Sequence, residues 1–285
     1  MSKLLWVAAL ALGIALAPSV RAADEKPVNL VKNGDAETGT LDNWSGFTKV
    51  ITDNPHGGKS CFLGQGQVMV QSNEFIPIDP NKSYTMTAWV KSTGKETSVF
   101  YAGLIPCDAD KNPIEHTLVD AIAATDTVMT EACTAADKVI KVTDASTWKT
   151  LDFGCVAFAV DDSGHYKDLP NRNLSTYGVV ACVNKGKYWE VQLKEACGKA
   201  YPAGTKVREQ TSGGTYIYAA ASGIGAGPQW AQITGTVKGS AICGAPNDQW
   251  WAGTKYARVL FLLSYGQGDA YGMAVDDVCV TESAK

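Results

Sequence analysis

Apolar and polar residues alternate with a period of two along much of this chain. In residues 83–91, SYTMTAWVK, apolar side chains at the even positions alternate with Thr85, Thr87 and Trp89. Because successive side chains of a β-strand point to opposite faces of the sheet, this alternation predicts a strand. The other stretches of this kind are residues 67–78, 97–105, 187–193, 214–220, 230–239, 257–265 and 271–281.

The predicted strands are separated by clusters of turn-forming residues such as DPNKS, TSGG and GQGDA. Many short strands with Gly-rich turns and almost no helical periodicity predict an all-β fold, a jelly-roll β-sandwich. One segment differs from this pattern. Asn112 and Pro113 suit the start of a helix, and Leu118, Val119 and Ile122 follow at helical spacing, so a short helix is expected there.

The middle of the chain is expected to form an inserted β-rich subdomain, residues 106–210. This stretch contains five of the eight cysteines and its own strand candidates near residues 139–148 and 155–160. The flanking residues 23–105 and 211–285 would then form the main sandwich.

The first 22 residues have the features of a secretory signal peptide. Lys3 precedes an apolar run at residues 4–17, and the segment ends in a small residue, Ala22. The run is too short to span a membrane, and no later segment replaces it. The protein is therefore expected to be secreted or extracellular, with the cell surface or the periplasm as alternatives.

The charge balance argues against nucleic acid as a partner. The chain has 25 basic and 29 acidic residues and a net charge of −4. Binding to phosphate needs clustered Lys and Arg, and the sequence contains no such cluster. An acidic surface favours neutral partners.

The eight cysteines form an even set in a chain predicted to be exported, which predicts disulfides. None has C-x-x-C spacing, so a zinc site is not expected. Cys182 and Cys197 flank the predicted strand KYWEVQL and are the favoured pair, and Cys61 with Cys279 is a second candidate. Buried free thiols are the alternative.

Several motifs occur in an order that resembles the carbohydrate-binding modules of families 4, 9 and 22. They are NLVKNGDAETG at residues 29–39, then Trp44, FIPIDPNKSYTMTAWVK at 75–91, WAQITGT at 230–236, ARVLFLL at 257–263 and VDDV at 275–278. The resemblance covers residues 29–105 and 211–281. It implies a galactose-binding-like jelly roll that binds polysaccharide, with Trp44 and Trp89 in the core.

The resemblance also implies a structural calcium ion where the first and last strands lie side by side. Carried over to this sequence, its ligands would be Glu37 and either Asp276 or Asp277. Strand alternation would place Asp276 on the face of Val278 and Val280, which favours Asp276. Calcium takes six to eight oxygen ligands, and a Gly-rich turn can supply carbonyls. The alternative is an ordinary turn beside a solvated Asp pair.

Three aromatic pairs are candidates for stacking on sugar rings. Tyr216 and Tyr218 lie two residues apart on one predicted strand and would point the same way. Trp250 and Trp251 are adjacent, as are Tyr188 and Trp189, so at least one member of each pair is expected to meet solvent. Packing within the core is the competing interpretation for all six residues.

The sequence offers little for an enzyme. His56, His116 and His165 lie in no H-E-x-x-H motif and beside no G-x-S-x-G. GIGAGP at residues 223–228 ends in Pro and opens no helix, so it is a turn and not a dinucleotide loop. Asp161 and Asp162 could serve as the two acids of a glycosidase, although a turn is the commoner role for such a pair.

These observations predict an exported, non-catalytic β-sandwich that binds a polysaccharide or surface glycan and is stabilised by calcium and disulfides. The alternative is a structural or adhesive surface protein that uses the same fold for protein contacts. The ligand, the oligomeric state and the role of the insertion are left open.

Overall fold

The computed structural model describes residues 28–94 and 96–284, and the predicted signal peptide lies outside them. The fold is all-β, as predicted, and is a jelly-roll β-sandwich with two additional small sheets. No helix in the described ranges is long and apolar enough to cross a membrane.

Two antiparallel sheets form the sandwich, and strands are numbered here in chain order. The larger sheet has six strands, β1 (Trp44–Ser45), β4 (Val68–Ser72), β16 (Tyr256–Leu263), β7 (Ser98–Cys107) and β14 (Ile217–Ala226), with β5 (Ile76–Pro77) beside β16. The second has five, in the order β15 (Ala231–Lys238), β6 (Lys82–Ser92), β17 (Gly272–Ala284), β3 (Cys61–Gln65) and β2 (Lys49–Ile51).

The core lies between these two sheets, and β6 shows why. Its even-numbered residues from Tyr84 to Val90 are buried, whereas Thr85, Thr87 and Trp89 are half-buried on the other face. The predicted alternation is thus confirmed. From the opposite sheet, β7 and β16 contribute Phe100 and Phe261 among others to the same core. Each such side chain contributes about 1.5–3 kcal/mol when it is fully buried.

The opening segment of the described chain is hydrogen-bonded along β17. Leu30 N donates to Val280 O (2.8 Å), and Val278 N donates to Gly34 O (2.8 Å). Asn29 completes this pairing through both ends of its side-chain amide. The two ends of the chain therefore lie side by side, as the resemblance implies.

Trp44 fills the core beside this junction, as expected. Its side chain is buried and packs against Phe47 and Phe62. The indole Nε1 donates to Asn33 O (2.8 Å), so the polar atom of this buried ring is satisfied.

The expectation that Asp276 shares the face of Val278 and Val280 is wrong. Asp276 pairs with Trp89, and the register then shifts before Cys279. Asp277, in this irregular stretch, has a left-handed backbone (φ 48°). The extra residue of such a bulge inverts the alternation, so Val278 and Val280 point into the core while Asp276 points to the opposite face.

The segment between β7 and β14 contains two three-stranded sheets. One is made of β10 (Cys155–Phe158), β13 (Lys206–Gln210) and β8 (Thr127–Val128), and the other of β11 (Val179–Asn184), β12 (Trp189–Leu193) and β9 (Val139–Val142). These sheets share a buried cluster separate from that of the sandwich. Among the described residues, which include all eight cysteines, no disulfide is formed, so neither Cys182–Cys197 nor Cys61–Cys279 is joined in the structure.

The helix expected near residues 112–122 is absent except for one 3₁₀ turn, His116–Leu118. Pro113 instead forms a bridge with Cys107, and Ile114 N donates to Pro106 O (2.8 Å). The chain therefore doubles back along the end of β7, and Leu118 and Val119 enter the sandwich core from a turn. Tertiary pairing overrides the local preference here.

Gly103 provides a test of this architecture. A Cβ at Gly103 would lie 1.9 Å from Ile217 O, because the backbone of β14 passes directly over it. We expect Gly103→Ala to lower the free energy of unfolding by about 1–3 kcal/mol, as overpacking does. Urea denaturation would measure this. The control is Gly268→Ala, which adds a Cβ where nothing lies within 4 Å; equal stability of the two variants would contradict the close approach.

Candidate functional site

Four tyrosines form a continuous row on the outer face of the larger sheet. We call this row the tyrosine face; it consists of Tyr101, Tyr216, Tyr218 and Tyr265. The centroid of the Tyr101 ring lies 4.9 Å from that of Tyr218 and 5.1 Å from that of Tyr265. The centroids of Tyr216 and Tyr218 are 6.0 Å apart. The rings meet edge-on or tilted, which is the favoured geometry for aromatic pairs.

Strand register explains why these rings face outward. Tyr101 lies opposite Leu262, and Leu262 lies opposite Met69 of the next strand, so the three side chains share one face. On β7 the neighbours of Tyr101, Phe100 and Ala102, are buried in the core. Met69 is 42% exposed and Tyr265 47% exposed, so the face is open to solvent.

Tyr218 takes its place in the row because β14 is irregular. The pairing of β14 with β7 shifts register between Ile217 and Ala221. Tyr218 N then bonds to the side chain of Asn247 (2.8 Å). Since Gly103 has no side chain, Tyr218 can cross above it and reach Tyr101.

The chemistry of this face suits a neutral polyhydroxylated ligand. Aromatic rings stack on the apolar face of a sugar, and hydroxyl groups exchange hydrogen bonds with it. Burial raises the pKa of Tyr218 to about 12 and also raises that of Tyr216. Both hydroxyls are therefore protonated at neutral pH and able to donate.

Cations border the tyrosine face at one end. Phe75 and Tyr256 meet edge-to-face there, at 6.3 Å. Lys111 Nζ lies over both rings, at 5.2 and 5.5 Å, and the Arg258 guanidinium lies 5.3 Å from the Phe75 ring. Arg258 Nε donates to Ser72 O (2.6 Å), which fixes the side chain against the sheet.

The expectation that Trp250 or Trp251 meets solvent is wrong. The two side chains are 1% and 0% exposed and belong to the sandwich core. Trp250 packs against Tyr84 (5.5 Å), and Trp251 Nε1 donates to Pro246 O (2.9 Å). Adjacent residues point to opposite sides only in an extended strand, and this segment is a loop that turns at Ala252. Neither ring can stack on a ligand here.

Tyr188 and Trp189 lie at the start of β12, away from the sheet that carries the tyrosine face. Trp189 is the first residue of β12 and packs against the insertion's core. Lys141 Nζ lies 5.1 Å from the centroid of the Tyr188 ring. The structure thus brings Tyr216 and Tyr218 together but joins neither to this pair.

Sequence reasoning missed Tyr101 and Tyr265 and also misplaced Trp89. Trp89 lies on the outer face of the five-stranded sheet and stacks on His56 (3.7 Å, 15°), with Trp230 nearby. Its position between two buried residues of β6 already indicates the outward face. The same parity argument, applied to Tyr101 in β7, would have identified it.

The acidic residues of the two chain ends converge on one loop, residues 56–60. Glu37 Oε1 accepts from Lys59 N (2.7 Å) and Ser60 N (3.0 Å). These bonds lower the pKa of Glu37. From the other end, Asp277 Oδ2 lies 2.7 Å from His56 Nδ1. The predicted proximity of Glu37 and the terminal Asp pair therefore exists, through this shared loop.

Asp276 and Asp277 differ in how well their carboxylates could bind a cation. Asp276 is fully buried, and its oxygens accept from the backbone of His56, Gly57 and Asp277. Burial raises its pKa, against the effect of these bonds. Asp277 and Glu37 instead flank the adjacent Gly57 and Gly58, where added Cβ atoms would lie 3.0 and 2.3 Å from their carboxylates. Within the described ranges no group of three or more His, Cys, Asp or Glu side chains could hold a metal, so backbone carbonyls would have to supply the remaining ligands.

Asp161 and Asp162 occupy structural positions. Asp161 accepts from Lys167 N (3.0 Å) and from Ser163 Oγ (2.9 Å) and so holds the turn that follows β10. Asp162 forms an ion pair with Lys206 (2.6 Å). His116 Nε2 and His56 Nδ1 each contact an aspartate, and no nucleophilic side chain of the described chain is hydrogen-bonded to either ring.

Asp161 gives a pH-dependent test of this turn. Its hydrogen bonds from Lys167 and Ser163 lower its pKa to about 2, below an unfolded value of about 3.9. The stabilisation is therefore complete above about pH 4 and is lost as the pH falls through about 2. We expect Asp161→Asn to melt below the wild type at pH 6, with the difference shrinking toward pH 2. A pH-independent difference, or an equal loss in Asp152→Asn, which has no such bonds among the described residues, would contradict this.

Comparison with known proteins agrees with the fold and the resemblance. Residues 28–153 match the model of the family described as Carbohydrate binding domain. This match passes residue 105 and enters the segment expected to be an insertion. No curated protein matches the sequence significantly.

Two solved structures align with most of this chain at low identity and low TM-scores. The CBM22-1 xylan-binding domain of Paenibacillus barcinonensis Xyn10C is 6% identical, with 88% of this chain and 93% of that chain covered and a TM-score of 0.40. TmCBM61 in complex with β-1,4-galactotriose is 12% identical, with coverages of 90% and 99% and a TM-score of 0.33. TM-scores this low do not extend a ligand from one protein to another. The family match confirms, over residues 28–153, the resemblance to carbohydrate-binding modules.

Proposed function

We propose that the protein is an exported, non-catalytic carbohydrate-binding protein and that its tyrosine face holds a polysaccharide or surface glycan. The family match supports carbohydrate binding. The observation that carries the location of the site is the row of four linked tyrosine rings on an open sheet face.

The form of the tyrosine face favours a chain over a single sugar. The rings follow one another from the turn after β16, over β7, to the start of β14, and Met69 and Leu262 extend the apolar floor beside them. A row of rings can contact several sugar units at once, so weak individual contacts add up along a polymer. An open face also admits a ligand that continues in both directions.

The roles of the polar candidates support a non-catalytic function. Glycoside hydrolysis requires two carboxyl groups on either side of the scissile bond. Asp161 and Asp162 belong instead to a turn and an ion pair. Stacking and hydrogen bonding by the tyrosines need no such acids.

Substitution of the tyrosines tests the proposal. We expect Tyr101→Ala to weaken retention in affinity gels containing a bound polysaccharide by up to about tenfold, since an aromatic contact contributes about 0.5–1.5 kcal/mol. Tyr101→Phe keeps the ring and should retain most of the binding. A panel of soluble polysaccharides and a glycan array would identify the ligand first.

The matched control is Tyr188→Ala, which removes a half-buried ring, as Tyr101→Ala does, but next to β12 and away from the tyrosine face. Thermal melts of all variants would separate loss of binding from loss of folding. Wild-type protein that is retained by no polysaccharide, or Tyr101→Ala and Tyr188→Ala that bind equally, would overturn the assignment.

We further propose that calcium stabilises the junction of the chain ends, with Glu37 and Asp277 as carboxylate ligands. Both carboxylates flank Gly57 and Gly58, where the backbone can approach them closely. Such a cation would hold the loop 56–60 against both ends of the chain. The resemblance supports a calcium ion at this place, and the geometry favours Asp277 over Asp276 as its ligand.

Calcium at a concentration well above its dissociation constant should raise the melting temperature by several degrees, because it binds only the folded state. The measurement is calorimetry with calcium, with magnesium at the same ionic strength and with chelator. Glu37→Gln should abolish the calcium-dependent shift whatever its own melting temperature. Identical melts with calcium and chelator would contradict the proposal.

A second function, adhesion through protein contacts, is favoured by one surface of the insertion. Phe153, Tyr177 and Val180 are exposed by 71%, 44% and 55%. They lie near one another because Gly178 N bonds to Gly154 O (2.7 Å). Exposed apolar patches often mark protein contacts. Large assemblies in light scattering without any sugar would favour this function over glycan capture.

A further inference from the structure

Two cysteines that are distant in sequence lie close together beyond the end of the β8–β13 pair. Cys133 and Cys197 are 5% and 2% exposed and belong to the same buried cluster. Burial and, after it, the nearby Cys133 thiol raise the pKa of Cys197.

Backbone pairing holds this contact in place. Beyond the β8–β13 pair the two segments stay antiparallel, with Gly204 N bonded to Met129 O and Cys133 bonded through both backbone groups to Tyr201. Farther along, Cys197 N donates to Asp137 O (2.8 Å). The segments on both sides of each thiol are therefore fixed.

An aromatic pair belongs to the same buried cluster as the two thiols. The rings of Tyr201 and Phe158 are stacked at 3.9 Å, and Tyr201 pairs directly with Cys133. The Tyr201 hydroxyl is buried without a partner. The two sulfur atoms thus lie in an apolar pocket that excludes water from them.

We propose that Cys133 and Cys197 are joined by a disulfide in the exported protein. Strands β9, β11 and β12, one complete sheet, lie in the chain between these two residues. The bond would close this long loop at the point where the chain leaves and re-enters the β8–β13 pair. Cross-linking of a long loop stabilises mainly by restricting the unfolded chain.

The reaction requires an oxidant, and a donor disulfide of the export compartment supplies it. One cysteine thiolate attacks the donor, forms a mixed disulfide and releases one thiol. The second thiolate attacks the mixed disulfide, forms the Cys133–Cys197 bond and releases the other thiol. The two cysteines lose two electrons and two protons, and the donor is reduced to thiols by the same number.

The burial of these thiols fixes when the bond forms. Burial raises the pKa of Cys197 to about 12 in the folded state, and the neighbouring Cys133 thiol adds to this. The thiolate is the reactive species, and in an unfolded chain the pKa is about 8.5. Oxidation therefore precedes or accompanies folding, and folded reduced protein should react slowly.

This pairing replaces the Cys182–Cys197 pair expected from the sequence. Cys182 lies on β11, directly opposite Val191 of β12. Burial raises its pKa to about 11, and Glu209 is the charged group that adds to this effect. Its side chain thus has its own surroundings, and Cys182→Ser is a suitable control.

Peptide mapping by mass spectrometry without reduction tests the proposal on the full chain, produced with its leader in an export-competent host. We expect one cross-linked species that contains Cys133 and Cys197 and disappears on reduction. Cys182→Ser should keep this species, and Cys133→Ser should lose it. Protein refolded with a glutathione couple should regain the bond faster than folded reduced protein acquires it.

The wild-type map decides the outcome even if a variant fails to fold. Alkylated Cys133 and Cys197 in the exported protein, or Cys197 joined to Cys182, would overturn the proposal. Reduction should also lower the melting temperature of the wild type by several degrees but leave a Cys133→Ser/Cys197→Ser variant unchanged. The inference rests on the export that the proposed function includes, but glycan binding plays no part in this test, so its failure and the failure of the glycan site are distinguishable.

Discussion

The pairing of the opening segment with β17 is the contact on which the remaining structure depends. β17 lies between β6 and β3 in the five-stranded sheet, and the opening segment runs along it through Leu30 and Gly34. The Asn29 side chain bonds to Val278 O across 249 positions of sequence. The same segment carries Trp44 into the core and Glu37 to the loop that Asp277 also contacts through His56. Contacts of such sequence separation carry a large entropic cost of loop closure, which the rest of the fold must offset.

Much of the fold is predictable because the alternation in strands such as β6 is regular. The proximity of the chain ends follows from the order of the motifs. The direction of a side chain is predicted wrongly where the alternation is extended through irregular backbone. The bulge after Asp276 inverts the facing of the residues that follow, and Trp250 and Trp251 lie in a turning loop where parity has no meaning. The 3₁₀ turn at His116 shows the same limit, since pairing with the end of β7 decides that segment.

The candidate site was accessible from sequence only in part. Tyr216 immediately precedes β14 and Tyr218 is its second residue, and their spacing of two already indicates a common direction. Tyr101 and Tyr265 join them through pairing between strands distant in sequence, which no local pattern contains. The contact between Cys133 and Cys197 has the same origin, because it depends on how the insertion's strands leave and return.

The register shifts of β14 separate two parts of the molecule that a regular strand would tie together. Ile217, where the regular pairing with β7 ends, is fixed in the core. The next residue, Tyr218, is held through its backbone N by the Asn247 side chain from a loop and not by the strand ladder. Changes in that loop can therefore redirect the ring while the interior stays intact. During divergence, substitutions in that loop could change ligand preference at little cost in stability, because the irregular pairing of β14 separates the ring from the core.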